Sequence, residues 1–167
     1  MSRLRAFLAS PVIRAIARFG LGATFVYAAV AKIADPPSFA HEVFNYRILP
    51  GVAVNALALW LPWIELLAGI AVLSGFWPRG GVALLSAFLV VFIVAISINL
   101  ARGRAIDCGC FGGKVTTSDA QRFLDMKVAV ARDIGLLILA AIAVQSGRPR
   151  ELEGAASLSS GASRADA

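Results

Sequence analysis

Apolar runs about as long as a bilayer is thick, each broken by charge and turn residues, dominate this chain. The hydrocarbon core of a membrane takes about 20 consecutive apolar residues per helix. Four runs of that kind stand out, roughly Val12 to Ile33, Val52 to Phe76, Gly81 to Leu100 and Val128 to Gln145. The pattern predicts an all-α fold, an integral membrane four-helix bundle occupying residues 1–146. From Gly147 onward the chain turns to Ser, Ala, Gly and Arg with almost no large apolar residue. Such a composition cannot bury enough surface to offset its ordering entropy, so 147–167 is expected to be a disordered tail.

The breaks between runs read as connections. Ala34-Asp35-Pro36-Pro37 ends the first helix, because proline has no N–H to donate and its ring clashes with the preceding turn. Trp77-Pro78-Arg79-Gly80 makes a tight turn, with a tryptophan at the depth where aromatic rings favour headgroups. The longer loops, Asp35 to Gly51 and Ala101 to about Lys127, fall on one face of a four-span protein. Ser118 and Gln121 resemble a capping box at an amphipathic start to the fourth helix. The first run exceeds the usual 7 to 15 residue core of a cleaved signal peptide and reads as a signal anchor. No internal repeat is present.

Composition sharpens this picture. Of 167 residues, 59% are apolar and 16% charged, which excludes an ordinary soluble domain. The net charge of +6 matches anionic lipid headgroups as a partner, and no nucleic-acid motif occurs. With four spans the Lys and Arg residues divide equally between the two faces, so the positive-inside count is silent. Arg3, Arg5, Arg14 and Arg18, with no acid among them, lead the first helix and favour a cytoplasmic N-terminus.

Candidate chemistry begins with the only two cysteines, in Asp107-Cys108-Gly109-Cys110-Phe111-Gly112-Gly113. A disulfide across one residue closes almost no loop and makes a poor staple, whereas a small strained ring is the labile, oxidising kind. Gly109 tolerates the dihedrals such a ring needs. Arg102, Arg104 and Lys114 flank the pair and favour thiolate. Cys108 and Cys110 therefore read as a redox pair, which belongs in an oxidising compartment such as a periplasm. A soft-metal site completed by His41 or Asp107 is the weaker alternative, and no metal is assigned. The chain has no second cysteine pair with which to relay electrons across a membrane by itself.

Charges within the spans form a second signal. Glu65 lies mid-helix three residues after Pro62, and an ionisable group at that depth usually faces the bundle and carries a role. Arg18 is its expected partner, since the two differ in depth by only about 5 Å at about 1.5 Å per residue. Such a pair either fixes packing alone or lets Glu65 carry a proton or bind a quinone-like ligand. Arg132 and Asp133 form a third charged spot beneath the cysteine loop, with snorkelling the simplest reading for Arg132 and for Lys32. His41, the only histidine, lies in the loop facing the cysteines and is a candidate base for a thiol.

These elements resemble a known family. Tyr27-Ala28-Ala29-Val30-Ala31-Lys32, Tyr46-Arg47-Ile48-Leu49-Pro50, Pro62-Trp63-Ile64-Glu65 with Gly69, and above all Cys108-Gly109-Cys110-Phe111-Gly112 are similar to the MauE family, DoxX-related methylamine utilisation membrane proteins. The resemblance spans about residues 12 to 145. It implies a multi-pass protein of the bacterial inner membrane that assists maturation of a disulfide-rich subunit beside a periplasmic thioredoxin-like partner, with Cys108 and Cys110 exchanging disulfides. It matches Glu65 and Arg18 to charged positions without giving them roles. The implied activity is that of a thiol-disulfide oxidoreductase accessory, reset by a quinone or a second protein. The competing class is a non-enzymatic membrane scaffold or metal-handling chaperone. A transporter has little basis without broken-helix repeats.

Overall fold

The structure, a computed structural model, describes residues 10–106 and 118–144, and the tail expected at 147–167 lies outside them. Among the described residues the chain is all helix and turn: α1 (Pro11–Ala34), α2 (Pro36–Asn45), α3 (Gly51–Ser74), α4 (Pro78–Ala101) and α5 (Asp119–Val144). Helices α1, α3 and α4 each hold 24 residues and are long and apolar enough to cross a membrane. Helix α5 is as long, but Asp119, Arg122, Asp125, Lys127, Arg132 and Asp133 set its composition apart from these three.

The first loop is largely helical, contrary to expectation. The prolines that stop α1 also start α2, since Pro36 occupies its first turn and the Asp35 carboxylate accepts the Ser38 N–H at 3.2 Å. An aspartate followed by proline is an N-terminal signature as much as a break. At the other end of the molecule α3 stops at Gly75, whose φ of 75° is the left-handed cap that glycine favours.

The four long helices form a ring in which α1 packs on α3, α3 on α4, α4 on α5 and α5 on α1, while α2 lies against α3 and α1. Neighbours run antiparallel: along α1, Arg18 meets Val72 and Lys32 meets Glu65. This is the up-down-up-down arrangement that short connections favour. On the outside, Phe19, Tyr27, Trp60, Leu67 and Val91 are each more than half exposed. So much exposed apolar surface is a liability in water and is matched by lipid tails, so the fold is that of an all-α membrane protein.

Helices α1 and α3 come close together at two glycines. A Cβ on Gly69 would stand 3.2 Å from the Gly22 carbonyl oxygen and 3.3 Å from the Val26 nitrogen, and one on Gly22 would stand 3.1 Å from the Gly69 carbonyl oxygen. These are backbone atoms that cannot rotate away. Small residues let membrane helices gain dispersion contact in place of the hydrophobic drive that lipid removes. Gly69→Ala should therefore destabilise the bundle by about 1–3 kcal/mol, the usual cost of overpacking, read as a lowered unfolding midpoint in detergent.

Candidate functional site

Two apolar cores are stacked along the bundle with a charged layer between them. Leu21, Phe25, Val72 and Leu85 belong to one core, and Tyr46, Ile96, Ile106 and Met126 to the other. Between them in register lie Lys32, Glu65, Arg132 and Asp133. Lys32 Nζ donates to Glu65 Oε2 at 2.6 Å, with the two side chains 4% and 0% exposed. The same ammonium sits over the rings of Phe39 and Phe92, 5.1 and 5.2 Å from their centroids, where the π-faces add attraction in a desolvated setting. On α5, Arg132 Nε and Nη2 donate to Asp133 Oδ1 at 3.0 and 2.8 Å.

A cavity of about 30 Å³ opens among Thr24, Lys32, Glu65, Arg132 and Asp133. It borders the buried carboxylate of Glu65, whose Oε1 has no hydrogen-bond partner. That volume admits a water or two, whereas pockets for ring-sized ligands start at about 300 Å³. The layer can hold charge, water and a proton. It has no room for a quinone ring.

The expected partnership of Glu65 with Arg18 does not form. Arg18 Nη2 instead donates to the Val72 carbonyl oxygen at 2.9 Å, one of the last-turn acceptors that α3 cannot satisfy internally. Lys32 does not snorkel to the surface but is buried. Helical side chains slant toward the N-terminus, so a lysine at the end of α1 reaches back into the bundle, and Phe39 of α2 closes over it. Cα depth alone pairs Glu65 with Arg18 because it carries no side-chain direction. The signal that could have identified Lys32 was a cation at the end of an apolar helix, followed at once by a helix carrying an aromatic.

Beyond the second core lies a larger and more polar pocket of about 580 Å³, lined by residues that include His41, Arg47, Arg104, Ile106, Asp119 and Arg122. His41 is exposed at its edge, and Tyr46 is buried beneath. Cys108 and Cys110 lie outside the described residues, but the chain that carries them leaves from Ile106 and returns at Ser118. There the Ser118 carbonyl accepts the Arg122 N–H at 3.1 Å, while Gln121 donates along the helix to Asp125. Asn99, fully buried, donates to the carbonyls of Tyr46 and Ala95 at 3.3 and 3.0 Å. It ties α4 to the end of α2. Sequence reasoning passed over it as one amide in an apolar run.

Removing one member of a buried pair leaves the other charge uncompensated, at a cost of about 3–5 kcal/mol, whereas replacing both by apolar residues is often neutral. Lys32→Met should lower the unfolding midpoint in detergent sharply, and Lys32→Met with Glu65→Leu should restore most of it.

Comparison with known proteins places this architecture. The sequence profile described as methylamine utilisation protein MauE matches residues 10–146. Curated relatives, each called methylamine utilization protein MauE, include one from Methylorubrum extorquens that is 37% identical over 65% of this chain and 59% of its own length. Another, from Paracoccus denitrificans, is 36% identical over 63% of this chain and 57% of its own. A third, from Methylophilus methylotrophus, is 30% identical over 78% of this chain and 69% of its own. The chain thus spans less than two thirds of the first two relatives. No solved structure matches it significantly. With the profile covering every described helix, the chain belongs to the MauE family of methylamine utilisation proteins.

Proposed function

We propose that this protein is a bacterial inner-membrane helper in methylamine-utilisation-type maturation. In this reading α1, α3, α4 and α5 all cross the bilayer, the N-terminus is cytoplasmic, and Cys108 and Cys110 exchange disulfides with a periplasmic thioredoxin-like or disulfide-containing protein. The observation that carries it is the pocket lined by Ile106 and Asp119, where Arg47 and Arg104, with Glu42 and with Arg122 paired to Asp119 at 3.4 Å, stand around the two ends of the cysteine-bearing segment. Cations beside a thiol favour its thiolate, the form that attacks a disulfide. His41 on the same rim is a candidate to exchange the proton.

The exchange balances as a two-electron transfer. A partner thiolate attacks the Cys108–Cys110 disulfide, forms a mixed disulfide and expels one cysteine as thiolate. A second partner thiol then displaces the remaining cysteine, leaving the partner oxidised and the pair reduced. Run in reverse, the same steps reduce the partner. A second disulfide protein or a quinone at the outer face returns the pair to its starting state.

Cys110→Ser should accumulate a mixed disulfide with a periplasmic protein, visible on non-reducing gels and released by thiol reductant, in a methylamine-grown host lacking its own relative. Replacing both cysteines by serine should abolish the adduct and the growth. Normal growth and normal partner oxidation in the double-serine variant would sink the thiol reading and leave a membrane scaffold in its place.

A further inference from the structure

A second pocket opens at the end of the bundle opposite Ile106 and Ser118. Here α1 begins, α3 ends, α4 begins and α5 ends. Arg18, Trp77, Pro78, Arg79, Ala143 and Val144 line a space of about 380 Å³, within the range of ligand pockets. Among the described residues lining it there are two guanidiniums and no carboxylate, so the potential favours an anion.

Arg18 is held ready for one. Its Nη2 is committed to the Val72 carbonyl at 2.9 Å, and the guanidinium lies close over Gly75, where a Cβ would come within 2.8 Å of Nη2. Its side chain also lines the pocket, so a cation fixed by the α3 terminus faces the space. Arg79 stands in the first turn of α4, where the helix dipole adds positive potential. Depth narrows the anion's source. Phe76 and Trp77, 93% and 67% exposed, occupy the turn between two apolar spans. Exposed tryptophan in that position sits at headgroup level.

We infer that this pocket binds the phosphodiester of an anionic glycerophospholipid. Arg18 and Arg79 hold the phosphate oxygens, Trp77 packs beside the glycerol, and the acyl chains run down the exposed apolar faces of the neighbouring helices. Free phosphate shares the anionic oxygens but has no chains to place there. The lipid would brace the turn between α3 and α4, at the opposite end of α4 from Ile106.

The full chain, purified in a zwitterionic detergent, can be titrated with phosphatidylglycerol, with phosphatidylcholine and with inorganic phosphate, binding being read by native mass spectrometry. Phosphatidylglycerol should bind in preference to phosphatidylcholine, and millimolar phosphate should not displace it. Arg79→Gln should weaken phosphatidylglycerol about fivefold, the worth of one interfacial cation. Arg79→Lys should retain most of the binding, and Arg79→Glu should lose more than Arg79→Gln does. Arg79 is chosen because Arg18 also caps α3, and lipid-free unfolding midpoints confirm that each variant is folded. Equal binding of both lipids, displacement by phosphate, or unchanged phosphatidylglycerol binding in folded Arg79→Glu would each overturn the assignment.

Discussion

A carboxylate with no exposed surface, enclosed by helices whose outer faces suit lipid, obliges its surroundings to supply a cation. Glu65 obtains one from Lys32 at 2.6 Å, and much of the architecture follows. An uncompensated charge at this depth would cost several kcal/mol, so α1 must present the end of its chain to the middle of α3. The lysine stem spans only a few ångströms, so the two helices must run close together. The contact between Gly22 and Gly69 keeps their axes near enough for that reach. Helix α2 is bound to the same requirement, because its Phe39 ring covers the ammonium from outside.

The charged layer also divides the bundle by chemistry. On one side, Leu21, Phe25, Val72 and Leu85 pack as an ordinary apolar core. On the other, the core thins into Tyr46, Ile106 and Met126 and then opens into the pocket of His41, Arg47, Arg104 and Arg122. Thiolate chemistry needs water, cations and a route for protons, all of which an apolar core denies. The layer separates a purely apolar core from the end of the bundle that opens into the polar pocket. Arg18 belongs wholly to the first part, since it serves the end of α3.

Much of the fold was legible because bilayer solvation writes itself into composition. Long apolar runs predicted α1, α3 and α4 to within a few residues, and Trp77-Pro78 marked the tight turn. Helix α2 is hidden in the sequence because Pro36-Pro37 reads as a stop, although the aspartate before it also caps a start. The Glu65 site was half legible. Its depth in α3 identified the acid, but choosing the partner required knowing which way side chains slant and where a free carbonyl waits. Those are three-dimensional facts. Arg18 found the Val72 carbonyl, and Lys32 was left for Glu65. Asn99 carried no periodic signal, since its task is to join a carbonyl far away in sequence at the end of α2.

The size of the buried cavity bears on how a thiol pair in this chain could be reset. About 30 Å³ beside Glu65 is room for a water or two and is small for a redox ring, and the sequence has no cysteine beyond Cys108 and Cys110. On the proposed reading, a thiol pair at the pocket end is separated from the opposite face by the charged layer and a packed apolar core, and the chain supplies no second cysteine pair to cross them. Electrons would therefore have to arrive and leave on the same side, through another protein or a carrier docking at the outer pocket. On the proposed thiol reading, the part left to the charged layer is to hold the bundle in register through the Lys32–Glu65 pair, and electron exchange would be confined to the pocket end.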